Sequence, residues 1–240
     1  MYIIAAANGK GGVGKTTTVA NLAINFTKRG YHTFVLDTDP LACLEDWWEA
    51  RKAEDLQLMS ITIEKLPEAI PKLKQAGVDI LIIDTPGFIA NAVNDVLALS
   101  DLVMILSKAG PLDLRATNRS LKFIKHIETP MVFVLNEVKP KTRISGEAAI
   151  ALSQYGKVCP SIIHSRNDFV VSMIDGQTLE EIAEPDNKGI EEVDKLGDYI
   201  LEQLGEKHPK QVDRTPPEAK QATAQVVAFK PGNKPGKAKA

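Results

Sequence analysis

Aromatic residues make up only 5% of this 240-residue chain, cysteine occurs twice, and neither sign of charge dominates. Each scarcity excludes something. Cys43 and Cys159 stand 116 positions apart without C-x-x-C spacing, which indicates neither a disulfide framework nor a zinc site and suits a reducing compartment. No apolar run approaches the roughly 18 residues needed to span a bilayer. The opening MYIIAAANGK has no basic start and only six apolar or small residues before a polar turn, too few for a secretion signal. A soluble, cytoplasmic protein without membrane partners is therefore expected.

The charge balance needs dividing. Overall, 29 Lys+Arg against 31 Asp+Glu give a net charge of -2, which argues against a protein that is basic over its whole surface. Residues 206–240, however, hold eight basic residues against three acids, leaving 21 basic against 28 acidic before them. Pro209, Pro216, Pro217, Pro231 and Pro235 interrupt that segment, which has almost no large apolar residues. Such a composition cannot offset its ordering entropy. The expected organisation is one folded domain over 1–206 and a basic, disordered Pro/Lys/Ala-rich tail over 207–240.

What is present before the tail is an alternation. Short apolar runs at 3–7, 33–36, 80–83, 102–106, 131–135 and 158–163, with a weaker one at 57–63, are separated by helical-period stretches at 16–29, 43–54, 64–77, 91–99, 113–126, 142–154 and 189–204. Runs such as ILII and VFVL are apolar on both faces, as strands covered on both sides must be. The pattern predicts an α/β fold: a doubly wound, mostly parallel sheet with helices on both faces.

Between the first strand and the first helix lies Gly9-Lys10-Gly11-Gly12-Val13-Gly14-Lys15-Thr16. This is G-x4-G-K-[ST], the phosphate-cradling loop. Its glycines let several backbone N–H groups point at phosphate oxygens, at a helix N-terminus that favours anions. Lys15 would neutralise the terminal phosphates and the Thr16 hydroxyl would ligate Mg²⁺. A carboxylate is needed beside the metal, and ILIIDTPG supplies Asp84 at the carboxyl edge of a buried strand, where open α/β sheets bind ligands. Asp37 and Asp39 close another strand. One could activate the attacking water while the other supports the metal.

Lys10-Gly-Gly-Val-Gly-Lys15-Thr-Thr resembles the deviant Walker A motif of the ParA/MinD class of P-loop ATPases. The likeness runs through DTDP at 37–40, Asp84, Gly110-Pro-Leu-Asp113, Asn136 and the 166–176 region, covers about residues 1–204, and is closest to small plasmid-type ParA proteins. It implies ATP and Mg²⁺ as ligands, held through Gly11, Gly12, Val13, Gly14, Lys15, Thr16 and Thr17, with Asn136 reading the adenine edge. Thr16, Asp37 and Asp84 would serve the metal, and Asp39 would activate water. It further implies an ATP-sandwich homodimer in which Lys10 crosses to the partner's nucleotide. The sequence departs from relatives at Leu41, where many have glutamine, and at Gly9, where they often have Gln or Pro.

Such proteins position a plasmid, chromosome region or protein assembly by holding DNA non-specifically while ATP-bound, and a ParB-like adaptor stimulates their hydrolysis. The resemblance therefore implies a nucleoid-associated protein. Lys139, Lys141 and Arg143 cluster ahead of a helix, whose N-terminus repels cations, and Arg166 follows a strand; these four are the candidate DNA contacts. Of Trp47 and Trp48, adjacent on one helix, one should be buried and the other free to touch a partner. A metabolic or metal-cluster-maturation ATPase is the alternative, although the two cysteines lack the spacing for a cluster. A GTPase is disfavoured because Leu135-Asn136-Glu137-Val138 lacks the guanine-reading aspartate.

Overall fold

The computed structural model describes residues 1–87, 91–124 and 128–206, so the expected basic tail lies outside the described residues. Seven strands form one sheet: β1 (Tyr2–Asn8), β2 (Thr33–Asp37), β3 (Gln57–Ser60), β4 (Ile80–Asp84), β5 (Leu102–Ser107), β6 (Met131–Leu135) and β7 (Lys157–Val158). Their order is β3-β2-β4-β1-β5-β6-β7, and every pairing is parallel. The connecting helices are α1 (Lys15–Lys28), α2 (Cys43–Ala50), α3 (Leu66–Gln75), α4 (Asn91–Ala98), α5 (Pro111–Leu121), α6 (Ile144–Ser153), α7 (Asn167–Ile174), α8 (Leu179–Ile182) and α9 (Lys188–Gln203).

Alternation along the strands divides the core in two. Ile4, Ala6, Val35, Ile82 and Met104 face one side, packed with Leu22 and Phe26 of α1 and Leu196 and Ile200 of α9. Ile3, Ala5, Leu36, Ile83 and Ile105 face the other, with Leu73 of α3, Leu97 of α4 and Leu152 of α6. Both sheet faces are therefore dry, which is why the strands read as continuous apolar runs. The carboxyl ends of β1, β2 and β4 converge, because Ala6 and Asp37 both pair with Asp84.

Several boundaries differ from the expectations. Of the strand expected over 158–163 only Val158 joins the ladder, in the two-residue β7 Lys157–Val158. Pro160 has no N–H to donate, and beyond it the chain touches the sheet through single bonds such as Ile163 N to Leu135 O at 3.0 Å. The helix expected over 113–126 begins earlier, with Pro111 in its first turn, and ends at Leu121. That proline is pre-shaped for a helix start. The helix expected over 43–54 stops at Ala50, where Arg51 turns to an extended backbone. Helices α7 and α8 were not expected, although Thr178-Leu-Glu-Glu181 is a capping box, observed with both reciprocal bonds.

Arg51 explains where α2 stops. Its guanidinium is 1% exposed. It donates to Asp55 at 2.6 Å, to both Glu181 oxygens at 2.6 and 2.8 Å, and to Gly176 O at 3.1 Å, and it lies 5.7 Å from the centre of the Trp47 ring. The indole N–H of Trp47 also donates to Gln177 O, at 3.0 Å. The helix that follows the DTDP turn is thus locked to the α7–α8 corner. Trp48 is half-buried, with its N–H on Leu56 O at 2.9 Å, so both tryptophans serve the fold. Replacing Arg51 by Met should cost about 3 kcal/mol, because Glu181 would keep its charge and its Thr178 bonds but lose its counter-ion. Urea unfolding checks this, and the double variant with Glu181→Gln should recover part of the loss.

Candidate functional site

The site grows out of three strand ends. After β1 the chain enters the glycine loop, with Gly12 and Gly14 at φ of +73° and +79°, a region in which side chains are strained. A Cβ on Gly11 or Gly12 would meet nothing within 4 Å, whereas one on Gly14 would come within 2.5 Å of the Asn136 amide nitrogen. The loop is thus open toward the cleft and closed beneath. Asn136, 3% exposed, braces it from below by donating to Val13 O at 2.6 Å. Asn8 is 1% exposed and donates to Lys10 O, and its Oδ1 is a buried acceptor with no partner.

Lys15 and Asp84 meet as a buried ion pair, 6% and 1% exposed. The Thr16 hydroxyl donates to the other Asp84 oxygen at 3.0 Å. Burial raises the Asp84 carboxyl above its ordinary value, and the Lys15 ammonium pulls it back. Asp37 sits beside it on β2 and accepts the backbone N–H groups of Asp39 (3.0 Å), Leu44 (3.2 Å) and Glu45 (3.3 Å). It therefore caps α2, and burial pushes it up to about 6, against the pull of the Asp39 amide and with a further push from Asp84. The half-buried Asp39 accepts from Leu41 N at 3.0 Å.

Lys15, Thr16 and Asp39 line a cleft of about 820 Å³ together with the rest of the loop from Asn8 to Thr17, Pro40, Leu41, Pro86 and Gly87, and Asp84 lies buried behind it against Lys15 and Thr16. A smaller cavity of about 150 Å³ adjoins it under Gly14, Thr17, Asn136, Arg166 and Phe169. The lining fits a nucleotide: backbone donors and a lysine at a helix N-terminus suit phosphates, and a narrow, mainly apolar slot suits a base. It also suits a hard cation, because a hydroxyl and two carboxylates converge. No group of three or more His, Cys, Asp or Glu side chains placed to hold a metal occurs among the described residues, so phosphate oxygens would complete any such shell.

The structure gathers Lys10, Lys15, Thr16, Asp37, Asp39, Asp84 and Asn136 at one edge of the sheet, and it sets the basic candidates apart. Lys139, Lys141 and Arg143 are exposed in the loop before α6, and none forms an ion pair among the described residues. The bridge between Val138 and His164 brings that loop beside Arg166. Arg166 is already held by Glu192, which also accepts from the His164 N–H at 3.0 Å. Glu192 is 26 positions away on α9, and no local signal announces it. Cys43 is exposed and Cys159 buried, with the Cys159 thiol pushed up to about 11 by burial. A thiol of that kind is a poor cluster ligand.

The raised Asp37 gives a pH prediction for the nucleotide-free chain. Its folded form binds a proton more tightly than the unfolded chain does, so its stabilising contribution is complete below its ordinary 3.8 and is lost as pH rises through about 6. Urea midpoints taken at about pH 5 and about pH 7.5 should therefore differ less in Asp37→Asn than in the native protein.

The chain is 23% identical over 209 residues to "Maintenance of carboxysome distribution protein A" of Halothiobacillus neapolitanus, covering 83% of this chain and 96% of that one. It is 30% identical over 131 residues to "Protein ParA" of Rhizobium radiobacter, covering 53% and 58%. Among solved structures, the septum site-determining protein MinD of Pyrococcus horikoshii, complexed with Mg-ADP, superposes with a TM-score of 0.69 at 19% identity, covering 85% of this chain and 97% of that one. Residues 4–179 match the CbiA family, and the chain belongs to this CobQ/CobB/MinD/ParA nucleotide-binding family.

Proposed function

We propose that this protein is a ParA-type ATPase that dimerises on ATP, holds DNA without sequence preference in that state, and so positions a cargo. The observation that carries the reading is the meeting of Lys15, Thr16 and Asp84 behind a glycine-lined cleft, with Asp37 beside Asp84 in the strand register. Lys15 would exchange its carboxylate for the β and γ phosphates, and Gly11, Gly12, Val13, Gly14 and Thr17 would present backbone donors around them. Mg²⁺ on Thr16, Asp84 and Asp37 would neutralise phosphate charge. Asp39 lines the same cleft and would orient the attacking water and accept its proton. Lys10 of a second copy would add positive charge where negative charge develops. The slot beside Asn136 would take the adenine.

The similarity to a protein named for carboxysome distribution and to one named ParA supports cargo positioning as the use of this cycle. The cargo is a plasmid, a chromosome region or a protein assembly, and a ParB-like adaptor would trigger hydrolysis. Lys139, Lys141 and Arg143, which form no ion pair among the described residues, supply the DNA contact, and doubling them in a dimer makes binding depend on ATP. Arg166 is spent on Glu192 and contributes less. No described helix is long and apolar enough to cross a membrane, which is compatible with a nucleoid location.

Two measurements test the proposal. ATP turnover should fall at least about tenfold in Lys15→Ala and in Lys10→Ala, the scale on which removal of one transition-state charge usually acts. DNA affinity should rise with ATP and fall with salt, the salt slope dropping by about one for each of Lys139, Lys141 and Arg143 replaced by Ala. Arg166→Ala should change that slope less. Unchanged turnover in both lysine variants, or DNA affinity indifferent to ATP, would contradict the proposal.

A further inference from the structure

The two lysines of the glycine loop are held apart. Lys15 is buried on Asp84, whereas Lys10, 54% exposed, places its ammonium 2.9 Å from Oδ1 of Asp113. Asp113 lies in the first turn of α5 and is only 17% exposed. Its backbone N–H donates to Gly110 O at 3.0 Å. A Cβ on Gly110 would lie 2.8 Å from Oδ2, so the carboxylate is folded back over the helix start into the space that a glycine leaves.

Gly9 shows why the loop reaches that carboxylate. A Cβ at this position would lie 2.8 Å from Ala116 O and 2.5 Å from the Ser120 hydroxyl, both on α5. Only a residue without a side chain lets the strand-to-loop arm rest directly on this helix. The next residue, Lys10, is thereby delivered to the N-terminal turn of the same helix. Asn8 clamps the arm from the other side through Lys10 O. The glycine that departs from the usual pattern of relatives is thus what seats Lys10 on α5.

We propose that Asp113 is a positioning residue that parks Lys10 on its own protomer until a second copy presents phosphates. The inference rests on the dimerisation reading above. Each loop lysine then has a carboxylate as its resting partner: Asp84 for the lysine that serves its own nucleotide, Asp113 for the one that serves the partner's. Leaving Asp113 opposes dimerisation, and because a symmetric dimer frees two lysines, the opposition counts twice. The pair is exposed on the lysine side, so each latch is weak, as a two-step brake on premature pairing requires.

The test uses the full chain and two readouts. In the nucleotide-free protein, acetylation of the Lys10 amine by a soluble amine reagent, read peptide by peptide in a mass spectrometer, should speed up several-fold in Asp113→Asn and stay near native in Asp113→Glu. An unchanged Lys10 rate in Asp113→Asn overturns the proposal. In ATP, sedimentation should show Asp113→Asn associating roughly two- to thirty-fold more tightly, the worth of two exposed ion pairs. The shift should vanish when Lys10→Ala is already present, and an equal shift in that background also overturns the proposal. If labelling responds but the native chain never associates with ATP, the latch stands and the dimerisation reading fails.

Discussion

A buried carboxylate needs a cation, and the structure supplies Asp84 with Lys15. Asp84 ends the strand between β1 and β2, 1% exposed, with Asp37 as its register partner on β2. Two acids this close in a dry sheet edge are costly unless positive charge lies between or beside them. Lys15, at the first position of α1, provides it while the phosphates are absent. The same requirement makes the edge a ready site for a divalent cation. Fold and chemistry thus share one constraint, because the parallel register that dries the strands also brings the acids together.

The helices around the edge convert this local charge into a mechanical arrangement. Asp37 caps α2 by accepting two of its backbone N–H groups and holds the turn before it through the Asp39 N–H, and the far end of α2 is fastened to α7 and α8 through Arg51 and Trp47. On the other side, Asn21 of α1 accepts the Leu179 N–H at 3.1 Å, which ties the helix behind the loop to the same corner. A change in the charge state of Asp37 therefore acts on a helix whose two ends are both held. The exposed loop lysine, Lys10, sends its ammonium away from this corner to Asp113 on α5.

Much of this was legible in the sequence. The apolar runs revealed the parallel sheet because both faces are buried, and the loop, Asp37, Asp39, Asp84 and Asn136 were legible because each stands at a strand end, where short motifs and function coincide. The partnerships were not legible. Glu192 holding Arg166, Glu181 holding Arg51 and Asp113 holding Lys10 join residues 26, 130 and 103 positions apart, and no periodicity connects them. One of Trp47 and Trp48 was expected to be available to a partner, but Trp47 is buried and the end of the helix at Ala50 lets the Trp48 N–H reach Leu56 O. Nor does the sequence show why residue 9 is glycine: its side chain would run into the Ala116 carbonyl of α5.

The central claim is that the Lys15–Asp84 pair is a placeholder that nucleotide phosphate and a divalent cation replace together. Calorimetric titration of the nucleotide-free chain with ATP, with and without Mg²⁺, tests it most directly. The account predicts saturable binding that weakens at least about tenfold when Mg²⁺ is withheld and again when Lys15 is replaced by Met, as expected for loss of a charge-assisted contact. Equal ATP affinity with and without Mg²⁺ in both the native chain and Lys15→Met would contradict it.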